Sequence, residues 1–440
     1  MRSDCENGIV KMTTENQKAL HTSAEIFDAF IERSWRSNAE RQKAKGAEFV
    51  IGKREGVYMW DIEGKRRLID CGTGGGVHAL GHRHPEILAV LRQALDDGRD
   101  TGLWSVPNAK YLELQDKLAA LAPKAHLNRS VITLCSTLSV DLATMFAFRV
   151  TKRQKMLAYR HGYHGHTGFA AIVTGSPEEG IIDHYNLPSH SNFLERFGDL
   201  EELDRLLTSE IAAFIIEPMD YETFEAASND FFTQASRLCK ERGVLFIVDE
   251  TRAGLGRSGT LWASEQYDID LDMMITGKGL SGGLYPASAV LMRAEIYEHC
   301  MNQHRFAYIS SLGGNEISCV VAAKVLDVAS SPALLENVRK VGAYLHNAFQ
   351  ALCSKHSDVL KGVTSFGLAV SVQVANRDLG RELYRKILDD GVLCHSVAEI
   401  DPPGLKFFPP LVLTEAEADQ IVDTLDRAGS SLRKSVKSAA

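Results

Sequence analysis

The chain has 440 residues, with 49 Lys and Arg against 57 Asp and Glu, for a formal net charge of −8. Its 45% hydrophobic and 24% charged residues are the balance of a folded globular protein. They exclude wholesale disorder, collagen-like repeats and a coiled coil. The mild acidity offers no basic face to replace the counterions of a phosphate backbone, so nucleic acid is not an expected partner.

The first 20 residues are polar and mixed in charge, without the apolar stretch of a secretion signal. Ser23 to about Lys45 has helical spacing, with Ile26, Phe27, Phe30 and Ile31 on one side. Residues 56–70, G-V-Y-M-W-D-I-E-G-K-R-R-L-I-D, alternate around a turn at Glu63-Gly64 and predict a β-hairpin. Gly72, Gly74, Gly75 and Gly76 follow, too flexible a run for a helix.

From about 85 to 320, apolar β-branched runs alternate with amphipathic stretches. The clearest runs are Val131–Leu134, Ala212–Ile216, Val244–Val248, Met273–Thr276 and Ala287–Leu291. Bare runs suit strands buried on both faces, and the stretches between them suit helical crossovers, which predicts a mostly parallel α/β sheet. A long helix over Ala333–His356, short strands and a last helix over Thr414–Arg433 predict a second, smaller α+β domain. The expected divisions are 1–75 for the tail, helix and hairpin, 76–328 for the large domain and 329–440 for the small one.

Eight cysteines stand at 5, 71, 135, 239, 300, 319, 353 and 394, without a C-x-x-C pair. They predict mostly buried thiols of a reducing compartment rather than a disulfide scaffold or a zinc site. No stretch of about 18 apolar residues occurs, so no membrane span is expected. A cytoplasmic location follows as the expectation.

In open α/β sheets, ligands gather at the carboxyl ends of strands. The predicted strand ends carry Cys135-Ser136-Thr137-Leu138, Glu217-Pro218, Asp249-Glu250 and Gly277-Lys278-Gly279. A small hydroxyl segment, two carboxylates and a lysine would converge on one rim. Most lysines are merely solvated, but Lys278 follows a buried run and is flanked by glycines that permit close approach. A desolvated lysine has a lowered pKa and can form a Schiff base. Asp249 could instead hold magnesium in a nucleotide hydrolase. That reading needs G-x-x-x-x-G-K-[ST], and no Gly-Lys here precedes Ser or Thr. A carboxylate facing a pyridinium nitrogen is the alternative. Lys278 and Asp249, at the ends of two successive strands, are what a pyridoxal phosphate site needs. His161, His164 and His166 have the spacing of a metal cluster but lack a nearby carboxylate or cysteine to complete it, so no metal is expected. Tyr163 or His164 would serve as a face for a cofactor ring.

With these residues in view, the chain resembles a class III pyridoxal-phosphate-dependent aminotransferase of fold type I. The segments that carry the resemblance lie in the family's order over about residues 50–430. They are the 56–70 hairpin, A-L-G-H-R-H-P, G-Y-H-G-H-T, I-I-E-P, V-L-F-I-V-D-E-T-R-A-G-L-G-R-S-G, I-T-G-K-G-L-S-G-G, S-L-G-G-N-E and F-P-P-L-V-L-T-E-A-E. The resemblance implies a large domain with a mostly parallel seven-stranded sheet beside a smaller α+β domain, and pyridoxal 5′-phosphate as cofactor. Lys278 would carry the Schiff base and shuttle the proton, and Asp249 would pair with the ring nitrogen. Tyr163 would stack on the ring, with His164 beside it. Ser136 and Thr137 would hold the phosphate at a helix start. Glu217 would stand near the substrate. Ser311, where the family usually has Thr, would reach the neighbouring subunit's phosphate, which implies a homodimer with active sites at the interface. Trp104 and the Gly72–Gly76 segment would shape the substrate pocket.

Three departures stand out. The family's phosphate segment reads Ser-Gly-Ala or Ser-Gly-Thr and then Glu-Ala-Asn-Glu, whereas this chain has Ser136-Thr137-Leu138-Ser139-Val140-Asp141-Leu142. Arg252 stands where many members have a glutamine near the cofactor's phenolic oxygen. Lys406 stands where the family has an arginine for the substrate carboxylate; it either takes over that task or sits in solvent. The expected activity is transfer of an amino group from an amine donor to an aldehyde or keto acceptor. The alternative is a lyase, aminomutase or epimerase of the same fold acting on an unusual amine, one bearing phosphate or phosphonate included. A third reading is a binding protein that has lost activity, against which stand the retained Lys278 and Asp249.

Overall fold

The structure, a computed structural model, describes residues 21–100, 105–175, 181–187, 190–396 and 402–439. The expected polar tail therefore lies outside the described residues. The chain divides into two units, one of Met1–Lys53 with Trp60–Arg67 and the other of Arg54–Met59 with Leu68–Ala440.

In the first unit, the helix expected over Ser23 to Lys45 is two helices, Ser23–Arg33 and Arg36–Ala44. Thr22 and Glu25 form a reciprocal capping box at the start of the first. Ser34 and Trp35 leave helical geometry, and the second helix turns back so that Lys43 Nζ reaches Asp28 Oδ1 at 3.2 Å. Periodicity continues across such a break, which is why spacing alone reads it as one helix.

The hairpin forms as expected. Strands β1 (Ile51–Glu55), β2 (Tyr58–Asp61) and β3 (Arg67–Asp70) lie side by side, and Gly64 takes the left-handed turn position with φ +70°.

The second unit holds a seven-stranded sheet. Its strands are β4 (Arg129–Thr133), β5 (Lys155–Tyr159), β6 (Ser191–Leu194), β7 (Ile211–Ile216), β8 (Leu245–Asp249), β9 (Met273–Thr276) and β10 (Ser288–Met292). The order across the sheet is β4-β10-β9-β8-β7-β5-β6. β10 runs antiparallel to both β9 and β4, and the pairs from β9 through β6 are parallel. All six residues of β7 are buried, as a strand covered on both faces requires. Each of its larger side chains contributes about 1.5–3 kcal/mol by leaving water. The chain jumps from the β4 edge to β5 and β6 at the far side and then returns through β7, β8 and β9. That reversal opens a crevice at the carboxyl ends of the strands.

After the long helix Pro332–Lys355 come β11 (Leu360–Phe366), β12 (Ala369–Val374), β13 (Val392–Leu393), β14 (His395–Ser396) and β15 (Gly404–Phe407). β11, β12, β15 and β14 form an antiparallel sheet in that order, and β13 pairs in parallel with β3. The last helix is Glu415–Ala439. No single helix among the described residues is long and apolar enough to cross a membrane. One bent pair, Glu316–Ala329 with Pro332–Lys355, meets that test by length and composition. Both helices bury apolar residues within the fold, Val321, Leu326, Leu345 and Phe349 among them.

Candidate active site

The carboxyl ends of β4, β8 and β9 deliver Ser136, Asp249 and Lys278 to one cavity of about 430 Å³. Thr137, Tyr163, His164 and Thr251 also line it. Lys278 opens a single helical turn, Lys278–Ser281, directly after β9. Its backbone holds φ +44°, a left-handed conformation that costs a residue with a side chain and gathers at functional sites. The amine donates to the Gly75 carbonyl at 3.1 Å and stands 5.6 Å from the centre of the Tyr163 ring. Burial, helped by the nearby Arg252 cation, pushes its pKa down to about 7.

Asp249 is 1% exposed. Its Oδ1 accepts from the Thr251 N–H at 3.0 Å, and its Oδ2 meets His164 Nδ1 at 2.7 Å. Burial alone would raise its pKa, but the bonds from His164 and Thr251 outweigh burial and hold the carboxyl below its ordinary value. An anion is thus kept inside an apolar wall.

Ser136 and Thr137 are the first two residues of the helix Ser136–Thr151, so their N–H groups are among the donors no helical carbonyl takes up. The Ser136 hydroxyl is buried without a hydrogen-bond partner among the described residues. A Cβ at Gly277 would stand 2.2 Å from it, so Gly277 is what lets Ser136 close in. The threonine at 137, in place of the family's glycine, is accommodated from across the cavity. Gly165 faces it with φ +139°, and a Cβ there would stand 2.6 Å from Thr137 Oγ1. Gly165 thus leaves room for Thr137 beside the helix start. An orphan hydroxyl and free amides for a phosphate, an aromatic face, a buried anion and a neutralisable lysine together fit pyridoxal 5′-phosphate.

Glu217 and Arg252 lie behind Tyr163. Arg252 Nε donates to Glu217 Oε1 at 2.7 Å, and its Nη2 makes a second bond to Oε2. Glu217 Oε2 also accepts from the Tyr163 N–H at 3.2 Å. Burial works against the charge on Arg252, but Glu217 outweighs it and holds the pKa above the ordinary value. Breaking such a buried pair costs about 3–5 kcal/mol. Arg252 Nη1 is buried without a partner among the described residues.

Lys406 does not sit in solvent. It is 2% exposed, on a strand paired with β12 on one side and β14 on the other. Its amine donates to the Tyr221 carbonyl at 2.8 Å and stands 3.8 Å from the centre of the Tyr221 ring. Arg252 Cζ is also 3.8 Å from that centre. One aromatic ring therefore contacts both cations.

The remaining expected residues are placed elsewhere. Trp104 lies outside the described residues. Ser311 is exposed and lines a separate cavity of about 750 Å³ with Val106, Tyr308 and Ile309. The three histidines have different neighbours: His161 faces Glu222 at 3.3 Å, His164 faces Asp249, and His166 meets the Tyr163 ring edge-on at 4.9 Å. Sequence reading missed Tyr221, Thr251 and the Gly75 carbonyl. Thr251 follows Asp249 by two residues and could have been found from the strand end. A carbonyl that receives an amine from 203 residues away leaves no local signal.

The lysine has a consequence for pH. Only the neutral amine can attack an aldehyde. With a pKa near 7, the initial rate of cofactor capture by the apoprotein is expected to rise about tenfold between about pH 6 and pH 8 and then level off. A lysine at its ordinary value would give about a hundredfold rise with no plateau over that interval. Stopped-flow absorbance across that range distinguishes the two.

Comparison with known proteins agrees with this geometry. Residues 39–428 match the sequence model of the family described as aminotransferase class-III. An uncharacterized aminotransferase of Archaeoglobus fulgidus is 35% identical, over 91% of this chain and 93% of its own. The [LysW]-aminoadipate semialdehyde transaminase of Deinococcus radiodurans is 29% identical over 86% of each chain. The crystal structure of ornithine aminotransferase from Toxoplasma gondii superimposes with a TM-score of 0.83, covering 94% of this chain and 97% of that one at 23% identity. With the family match spanning nearly the whole chain and its strand ends assembling one cofactor-shaped cavity, the protein belongs to the class-III aminotransferases, pyridoxal-phosphate enzymes of fold type I.

Proposed function

We propose that this aminotransferase acts on substrates bearing an anionic group, with Lys278 moving the proton and Lys406 and Arg252 forming the anion-receiving side of the pocket. The observation that carries the reading is the pair of buried cations at Tyr221. Arg252 and Lys406 each stand 3.8 Å from the centre of that ring, and Arg252 keeps a buried Nη1 with no hydrogen-bond partner among the described residues. An alkyl amine carrying a carboxylate, or its keto or semialdehyde counterpart, would bring an anionic oxygen suited to that donor. The name of the Deinococcus relative, an aminoadipate semialdehyde transaminase, supports the same class.

Pyridoxal 5′-phosphate, when bound, supplies the aldehyde that takes up the amino group and a ring that withdraws electrons from the reacting carbon. The chain's residues do the rest. Ser136 and Thr137 would hold the phosphate, and Tyr163 would offer the ring a face. Asp249, anchored by His164, would keep the ring nitrogen protonated. Lys278 Nζ, its pKa lowered by burial to about 7, would take the proton from the substrate carbon and return it. Arg252, fixed by Glu217, keeps Nη1 for an anionic oxygen. The family's aminotransferase names favour transfer over the lyase, aminomutase or epimerase outcome.

A donor panel tests this, with keto product and released ammonia both followed. Carboxylate-bearing donors should turn over only with a keto or aldehyde acceptor, and ammonia release without one would contradict transfer. Lys406→Met is expected to raise KM for such donors about tenfold to a hundredfold, the worth of one charge-assisted bond, while leaving neutral amines within about twofold. An equal effect on both donor classes would remove Lys406 from substrate binding.

A homodimer is part of the same proposal. Val106, Phe306, Ile309 and Leu312 are exposed large apolar residues near Ser311 in the chain fold, and such a patch marks an association surface. Sedimentation showing a 48.5 kDa species alone would exclude it. Buried free thiols at Cys71, Cys239, Cys300, Cys319, Cys353 and Cys394 support a reducing, cytoplasmic location.

A further inference from the structure

A buried acid–histidine pair outside the cavity is tied to the reactive lysine through one turn of backbone. Asp70, the last residue of β3, is 3% exposed and His82 2%. Asp70 Oδ2 meets His82 Nε2 at 3.0 Å. Asp70 Oδ1 accepts from the N–H groups of Gly72 at 2.9 Å and Thr73 at 2.8 Å. His82 is itself fixed by its backbone, which exchanges two hydrogen bonds with Gly56, at 2.7 and 3.0 Å. The turn that Asp70 grips is a strained one. Thr73 has φ +48° and Gly74, Gly75 and Gly76 have φ +57°, +66° and +108°. Such a run has many other conformations open to it, and glycine resists none of them. It is held by the pair of bonds to Asp70, by one from Thr73 Oγ1 to the Phe408 carbonyl at 3.0 Å and by His395 Nε2, 3.2 Å from the Gly72 carbonyl. Internal bonds then close it, from Gly75 N to Gly72 O at 2.8 Å and from Gly76 N to Thr73 O at 3.2 Å. The product of this arrangement is the Gly75 carbonyl, which takes the Lys278 amine at 3.1 Å.

We propose that Asp70 and His82 are positioning residues for Lys278: they lock the Gly72–Gly76 turn so that its carbonyl fixes one N–H of the amine and aims the lone pair at the cofactor's aldehyde. A carbonyl can only accept, so it sets the orientation of the amine without competing for its proton. His82 holds Asp70 in place and touches neither the cofactor nor the substrate. The inference rests on the cofactor reading given above, and the wild-type capture reaction is its control.

The test uses full-length apoprotein mixed with saturating pyridoxal 5′-phosphate, with growth of the lysine-bound absorbance band as the readout. Asp70→Ala is expected to slow capture at least about tenfold, the scale of a misplaced reacting group. Affinity for pyridoxine 5′-phosphate, which has no aldehyde and senses only the phosphate and ring contacts, is expected to stay within about twofold. Asp70→Asn keeps an oxygen for the two amides and is expected to recover capture to within about threefold. Thr73→Val, nearly isosteric, frees the same turn from Phe408 and is expected to slow capture about threefold, which keeps the question open to measurement if Asp70→Ala does not fold. Capture at the wild-type rate in a folded Asp70→Ala, or in Thr73→Val when it alone is measurable, would overturn the proposal. An equal loss of pyridoxine phosphate affinity would overturn it too, because that pattern means a distorted cavity rather than a misdirected amine. No band in the wild type would remove the cofactor reading, and this inference with it.

Discussion

Lys278→Ala is expected to lower kcat/KM for amino transfer at least about a thousandfold, about 4 kcal/mol of transition-state stabilisation. The loss combines covalent capture of the cofactor with the proton transfer the amine performs. Alanine keeps a Cβ at the same left-handed backbone position (φ +44°), so the strain there is unchanged and folding should survive. The helix start at Ser136 and Thr137, proposed to hold the phosphate, is also untouched. The variant should therefore still bind pyridoxal 5′-phosphate, but without the lysine-bound absorbance band. Turnover above about a tenth of wild type would remove residue 278 from the chemistry.

Asp249→Asn should leave cofactor capture intact and slow turnover about a hundredfold to a thousandfold, about 3–4 kcal/mol. The carboxylate is 1% exposed and kept ionised by the bonds from His164 and Thr251. An asparagine keeps the volume and, through its single oxygen, the bond from Thr251, and its amide nitrogen meets His164 Nδ1 only in the imidazole's other tautomer; it carries no charge, so it cannot hold a ring nitrogen protonated. The effect should fall on kcat more than on KM, since the ring nitrogen acts on the reacting carbon rather than on substrate binding. Steady-state kinetics with one carboxylate donor check the split. A kcat within about threefold of wild type would show that the anion at 249 serves the fold alone.

Much of this site was legible because the sheet is parallel and doubly covered. Bare runs such as Ala212–Ile216 announce buried strands, and the residue after each run stands at the crevice. That logic alone places Ser136, Asp249 and Lys278. It fails for β5 and β6, which were not among the clear runs. Lys155–Tyr159 begins with a charge, and Ser191–Leu194 is a short edge strand with two half-buried positions. It also fails for Lys406. Whether a charged residue in a short strand faces water depends on what packs over that face of the sheet, and Tyr221, which lies against Lys406, is 185 residues away in sequence. Likewise, Thr137 looked like a broken phosphate motif until Gly165, from another connection, proved to supply the room. Compensation between two segments is invisible to a reading that takes motifs one at a time.

Tyr221 has an evolutionary consequence. Because Arg252 and Lys406 each lie 3.8 Å from the centre of the same ring, the two cannot be tuned as separate dials. Exchanging that tyrosine for an aliphatic residue takes the ring face from both charges in one step, while the bonds to Glu217 and to the carbonyl of residue 221 stay. Substitutions at these three positions are therefore expected to depart from additivity, so that a change at one alters what a change at another does to substrate preference.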